Sequence, residues 1–232
     1  MSNFVFPPVQ TPSAAVRGTD ARYAVSRIFC VGRNYADHAR EMGADPTREP
    51  PFYFTKPATA LTASGSTVPY PTETRNYHYE MELVIAIGAP VFKVTPEAAR
   101  AAIWGYAAGL DMTRRDLQAA AKAGGKPWDT AKGFDQSAIL TDIARVSEVG
   151  LLEKGVITLS VNGVEKQRGD LADMIWSQAE IVSNLSQLYH LHPGDLIYTG
   201  TPAGVGAVVP GDVIVGRIEG LGEITLTVGQ PE

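Results

Sequence analysis

Sulfur chemistry has almost no place in this sequence, because its 232 residues hold one cysteine, Cys30. A lone thiol builds neither an internal disulfide nor a thiolate metal cluster. Its setting, Ile28-Phe29-Cys30-Val31, predicts a buried and inert side chain. Histidine is nearly as scarce, with His38, His78, His190 and His192 the full set. An iron site of two histidines and one carboxylate is disfavoured, since His190 and His192 adjoin a Pro-Gly-Asp turn with no matching acid beside them. No apolar run approaches the length of a membrane span. The opening MSNFVFPPVQTPS lacks the basic start and long apolar core of a secretory signal, so a cytoplasmic protein is expected. Basic residues are outnumbered twenty to twenty-five, a formal charge of −5. That balance gives no electrostatic reason to bind nucleic acid or an anionic membrane, although a local basic pocket for an acidic small molecule stays open.

What is present is ordinary globular material. Hydrophobic residues make up 44% of the chain, enough apolar surface to offset the entropy of ordering it. The length suits one sizeable domain. An arm over residues 1–25, rich in Pro, Ser, Thr and Gly, precedes a single domain over 26–232. A strand is expected from Ser26 to Val31, then a helix from Asn34 to Met42 with Asn34 as N-cap and Gly43 as its stop. In the strand from Glu80 to Ile87, Met81, Leu83, Ile85 and Ile87 share one face and Glu80 and Glu82 the other. Thr95-Pro96-Glu97 opens a helix running through Ile103 towards Gly105, and Tyr106 to Leu110 reads as a buried strand. Another helix runs from about Thr113 to Lys122. Asn162-Gly163 joins a hairpin, and apolar residues at helical spacing predict a core-packed helix over 173–190. These elements make one mixed domain, rich in strands, with three or four helices on its surface.

Chemistry gathers around a few carboxylates. His78, Glu80 and Glu82 alternate along a strand and so point one way. Two neighbouring carboxylates repel and raise each other's pKa unless a cation intervenes, and hard oxygen ligands suit Mg²⁺ or Mn²⁺. Alone, the pair reads first as two surface acids on an edge strand. Asp111 ends the small apolar run Gly105–Leu110, where a buried strand would deliver a carboxylate to a site, or where Asp would merely cap the next helix. Arg115 and Gln118, three apart, share a helix face. Lys132 sits in what reads as a loop, where a lysine is ordinarily solvated.

Six ordered segments together resemble the fumarylacetoacetate hydrolase family: Gly32-Arg33-Asn34-Tyr35 with His38 and Glu41; Phe54-Thr55-Lys56-Pro57; Tyr79-Glu80-Met81-Glu82-Leu83; Gly105-Tyr106 with Asp111-Met112-Thr113-Arg114-Arg115-Asp116; Lys132-Gly133-Phe134-Asp135; and Gly200-Thr201-Pro202-Ala203-Gly204-Val205-Gly206. They span roughly residues 26 to 215. The resemblance implies an α+β, mixed β-roll-like fold, a homodimer, and one Mg²⁺ or Mn²⁺ on Glu80, Glu82 and Asp111. It implies a lid helix whose Glu41 orients His38 as the base, with Lys132 as the third catalytic residue. It places Arg33, Tyr35, Lys56, Arg115, Gln118, Gly200 and Thr201 around an oxo-acid substrate, and His78 outside the ligand set. The implied activity is hydrolysis of a carbon–carbon bond in a β-diketo acid of the fumarylpyruvate type. Oxaloacetate decarboxylation and isomerisation of a dienedioate are alternatives in the same fold. A binding module for oxo acids is the non-enzyme alternative, and no ligand or Lys132 is lost to suggest it.

Overall fold

The computed structural model describes residues 4–41 and 49–232. Its centre is the strand Met81–Ile87, buried at every position. The expected two-faced alternation becomes burial on both sides, because each face meets a core of its own. Met81, Leu83, Ile85 and Ile87 enter a large core with Ile157, Ile214 and Leu226. Val84 and Ala86 enter a smaller one with Ile28, Cys30 and Tyr198. Cys30 is thus buried, as its apolar setting requires.

Around that strand lies an eight-stranded mixed sheet. In spatial order it runs Phe52–Lys56, Arg27–Gly32, Asp195–Tyr198, Met81–Ile87, Ile103–Asp111, Ala138–Leu140, Leu61–Ala63, with Ala144–Arg145 also pairing on Ile103–Asp111. Arg27–Gly32 is parallel to Asp195–Tyr198 and Ala138–Leu140 to Leu61–Ala63. The other pairings are antiparallel. A second, five-stranded sheet covers the large core and contains the expected hairpin, Val156–Val161 with Val164–Asp170. Its turn residues Asn162 and Gly163 have φ of 51° and 78°, the left-handed pair of a type I′ turn.

Several boundaries differ from expectation for local reasons. The helix Pro96–Ala101 keeps Thr95 as its N-cap but stops early, because Ile103 already pairs with Ile87 in the sheet and β-prone residues there gain more from pairing than from another turn. The helix predicted over 173–190 covers Gln178–Leu188, started by a Ser177/Glu180 capping box. Ile175 therefore lies outside it, its N–H donating to the Asn34 carbonyl. Asn34 caps nothing: its amide is spent on Trp176 and Thr199, and the first helix is Ala36–Glu41. Met42 and Gly43, its expected end, fall outside the described residues. Part of the expected arm is structured, since Ser13–Ala15 and Arg22–Ala24 pair as a hairpin. Tyr23 ties that hairpin to the body, its hydroxyl donating to the Ile87 carbonyl at 2.7 Å, with that of Asp195 at 3.0 Å.

Where the central strands meet, side-chain volume is at a minimum. A Cβ on Gly109 would lie 2.5 Å from Val84 Cγ2 and 2.6 Å from Tyr198 Cε1. Gly109→Ala is therefore expected to cost about 1–3 kcal/mol through overpacking, read as a lower urea midpoint. An unchanged midpoint would mean the sheet yields there without strain.

Candidate metal centre and active site

Three strand ends bring the carboxylates together. Glu80 occupies the break between Tyr77–Tyr79 and Met81–Ile87. Glu82 is the second residue of the central strand, and Asp111 is the last of Ile103–Asp111. The antiparallel register sets Met81 opposite Leu110, so the Asp111 N–H donates to the Glu80 carbonyl at 2.9 Å. One oxygen from each acid falls within 4.8 Å of the other two, and all three side chains are buried. The structure thus takes Asp111 away from the helix-capping role and makes it part of a cluster.

The surrounding cations are arranged around this cluster rather than in solvent. Lys132, expected on a loop, ends the short helix Asp129–Lys132 and is 2% exposed. Its Nζ donates to Glu80 Oε2 at 2.6 Å and to Asp111 Oδ2 at 2.8 Å. Burial pulls its pKa down, but Asp111 and Glu80 outweigh that and raise it, so it stays charged. Arg115 opens the helix Arg115–Ala123, donating to Glu80 Oε1 and to Gln118 Oε1, both at 2.5 Å. Burial pushes the Glu80 carboxyl up, yet Lys132 and Arg115 together hold it well below the usual carboxylate range. His78 faces Arg115 at 3.4 Å and Asn76 at 2.7 Å, behind the cluster.

Among the described residues, Glu82 has no such cation bonded to it. Its Oε2 accepts the Gly200 N–H at 2.8 Å, while burial and the charges of Asp111 and Glu80 push its pKa well up. Asp111 Oδ1 is buried without a hydrogen bond, although Lys56 Nζ approaches it to 2.9 Å. An under-compensated carboxylate and an all-oxygen donor set fit a hard divalent ion. Glu80, Glu82 and Asp111 would hold it.

A cleft opens over the cluster, lined by Glu80, Glu82, Arg115, Gln118, Lys132, His38 and Thr201, and by Arg33 with Phe52, Phe54, Lys122 and Trp128. His38 is 6% exposed, and its Nδ1 lies 3.2 Å from Glu41 Oε2. Glu41 in turn accepts the Gly204 N–H, fastening the helix Ala36–Glu41 to the glycine loop. Burial depresses the His38 pKa below 6.5 against the opposing pull of Glu80 and Glu41. Thr201 Oγ1 accepts from Gln167 Nε2 at 2.8 Å, which leaves its own O–H free to donate into the cleft. Gly200 has φ of 98°, and a Cβ there would lie 2.7 Å from Asn34 Cβ; glycine is what lets the loop pass so near.

Not every expected substrate contact faces the cleft. The Gly200 N–H, expected on a substrate carboxylate, is committed to Glu82. Lys56 is buried beneath the cluster, donating to the carbonyls of Met112 and Lys132. Tyr35 is 3% exposed, with its hydroxyl unpaired. Among the described residues, neither Lys56 nor Tyr35 lines the cleft. Sequence reasoning passed over Gln167, Phe52 and Trp128. The spacing of Phe52 and Phe54 two apart on a strand was the one available signal.

The family model described as fumarylacetoacetate (FAA) hydrolase C-terminal matches residues 27–229. A fumarylpyruvate hydrolase from a Ralstonia species is 55% identical over 188 residues, covering 81% of this chain and 97% of that protein. A human mitochondrial oxaloacetate tautomerase is 42% identical over 205 residues, covering 88% and 92%. The crystal structure of fumarylpyruvate hydrolase from Pseudomonas aeruginosa in complex with Mn²⁺ and pyruvate aligns with a TM-score of 0.96 at 50% identity, covering 98% of this chain and all of that one. The expected α+β, β-roll-like architecture is shared with it.

Proposed function

The chain belongs to the fumarylacetoacetate hydrolase family, and from that premise we propose that it uses one Mg²⁺ or Mn²⁺ to hydrolyse fumarylpyruvate to fumarate and pyruvate. The observation that carries the reading is the convergence of a buried three-carboxylate cluster and a His38–Glu41 pair on one cleft. A divalent ion on Glu80, Glu82 and Asp111 would supply Lewis acidity to the 2-oxo group of the substrate.

The chain's own residues do the remainder. Arg115 and Gln118 hold the pyruvate carboxylate, with Thr201 donating beside them. His38 carries its proton on Nδ1 towards Glu41, an assignment made from the geometry. Its Nε2 is then free to take a proton from water. The water oxygen bonds to the fumaryl carbonyl carbon, and the carbon–carbon bond to the pyruvate half breaks. The electron pair leaves with that half as an enolate, which recovers the proton at carbon. Lys132 has two of its three donors on Glu80 and Asp111, leaving one for the charge developing on the enolate oxygen. A homodimer acting in the cytoplasm completes the reading, and light scattering of the purified protein tests its assembly.

The same cleft suits a second reading, favoured by the likeness to oxaloacetate tautomerases: proton transfer on, or decarboxylation of, oxaloacetate without attack by water. The deciding experiment is a panel of acylpyruvates and oxaloacetate assayed with Mg²⁺ or Mn²⁺, reading pyruvate release and enol content. Fumarylpyruvate should be turned over fastest, EDTA should stop it, and either ion should restore it. Full activity in EDTA, or a preference for oxaloacetate, sinks the hydrolase reading.

The pH profile follows from the His38 shift. A base works only when unprotonated, and burial holds His38 below its ordinary 6.5. The rate constant kcat/KM should therefore sit on a plateau at neutral pH and decline only as pH falls through that lowered pKa. A plateau beginning above pH 7 would mean that His38 is not the base.

A further inference from the structure

Three aromatic side chains of the cleft take no part in the chemistry above, yet they are set in a continuous row. Phe52 and Phe54 stand two apart on the edge strand Phe52–Lys56 and so share a face. Trp128 meets both, with ring centres 5.4 Å from Phe52 at 84° and 5.8 Å from Phe54 at 56°. Each end of the row carries a cation. Lys132 Nζ lies 5.0 Å from the Phe54 ring centre, and Arg33 Cζ lies 5.3 Å from that of Phe52. Because Lys132 also bonds Glu80 and Asp111, the row begins at the carboxylate cluster and leads away from it to Arg33.

Two departures from local backbone rules converge on the outer end. Arg33 holds φ of 61°, the left-handed region that a long side chain seldom occupies unless its surroundings fix it there. Its neighbour Gly32 pairs with Phe52, and a Cβ at that glycine would sit 2.1 Å from Phe52 Cζ. Glycine at 32 lets the Phe52 ring lie across the strand, and the turn at 33 lays a guanidinium over that ring. Among the described residues Arg33 has this cation–π contact and no ion pair. Its forked donors are left for an anion in the cleft.

We infer that Phe52, Phe54 and Trp128, with Arg33 at their outer end, form the subsite for the acyl half of the substrate and select a planar, conjugated acyl group ending in a carboxylate. The inference rests on the hydrolase reading, since it assigns the pyruvate half to the metal end of the same cleft. A flat conjugated chain offers its π-face to rings that favour offset or edge contact. A terminal carboxylate matches the guanidinium fork in shape and charge. A saturated acyl chain loses the first match, and an acyl chain without the carboxylate leaves Arg33 unanswered, the situation in which a polar site rejects an analogue most strongly.

Three substrates that share the pyruvate half separate these terms. Fumarylpyruvate has both features, succinylpyruvate only the carboxylate, and acetylpyruvate neither. Arg33→Asn removes the charge while tolerating the left-handed backbone. It should lower the fumaryl-to-acetyl ratio of kcat/KM by about 10²-fold, as expected for a lost charged hydrogen-bond pair. Trp128→Leu, on a separate segment, should lower the fumaryl-to-succinyl ratio by about 3- to 10-fold. Ratios cancel any shared loss of fold or metal, and Arg33→Lys should recover part of the first. Fumarate titrated calorimetrically into the metal-loaded protein should bind and be weakened by Arg33→Asn, a readout independent of turnover. Ratios that stay constant in both variants, even with lower absolute rates, overturn the subsite. If the unmodified protein cleaves none of the three, the hydrolase reading has failed, and the fumarate titration alone decides whether Arg33 holds a carboxylate.

Discussion

Asp111→Ala should bind Mn²⁺ too weakly to titrate at micromolar protein and should lose turnover by more than about 10²-fold, since even residues outside a metal's direct ligands cost that much. The loss has two sources that can be measured apart. One is the missing oxygen ligand. The other is the fate of two buried ammonium groups 2.8 Å and 2.9 Å from the Asp111 carboxylate: Lys132 would keep Glu80 alone, and Lys56 would lose its carboxylate partner. Removing one partner of a buried pair costs about 3–5 kcal/mol, so the variant should also melt earlier. Asp111→Asn retains the shape and an acceptor and should recover part of the stability without the cation affinity. Tight, stoichiometric Mn²⁺ binding by a folded Asp111→Ala protein would show that the cluster is not the metal centre.

His38→Ala should cripple cleavage of acylpyruvates by roughly 10²–10⁴-fold, the usual worth of a general base. Decarboxylation of oxaloacetate needs an electron sink but no attacking water, so it should fall much less in the same preparation, with metal content checked. Glu41 calls for a milder change. Its carboxylate both faces His38 and accepts the Gly204 N–H, so Glu41→Ala also unfastens the helix from the loop. Glu41→Gln keeps that acceptor and isolates the effect on His38. Equal losses in both reactions would mean that the helix Ala36–Glu41 chiefly orders the cleft. Undiminished cleavage would remove His38 from the mechanism.

The parts of this molecule that were legible in its sequence are those governed by short-range rules. Alternation identified Met81–Ile87, a small apolar run its neighbour at Tyr106 to Leu110, Asn162-Gly163 the hairpin, and Thr95-Pro96 placed a helix start to the residue. What escaped depends on pairing between distant segments. Asn34 has the chemistry of an N-cap, but Trp176 and Thr199, far along the chain, compete for its amide and win. Lys132 carries no local mark of burial. Only the register that brings Glu80 and Asp111 together gives its charge a place inside. The site residues themselves were named through a resemblance spread over six segments, because no single spacing here specifies a metal centre. Lys56 and Gly200 show the limit of that route. Their positions match the family's pattern, yet their atoms are occupied in supporting the cluster.

The crowding of Lys56, Lys132 and Arg115 around three acids has a thermodynamic corollary. Lys132 and Arg115 answer Glu80, while Lys132 and Lys56 answer Asp111. Three acids are met by three cations, so a divalent ion entering alone makes the site positive, and an oxo-acid anion entering alone makes it negative. Each ligand relieves the repulsion felt by the other, so their affinities are coupled, and by thermodynamic necessity the coupling is the same in both directions. Pyruvate should sharpen Mn²⁺ binding by the factor that Mn²⁺ sharpens pyruvate binding. The protein would thereby hold its ion loosely between turnovers and firmly while a substrate is in place.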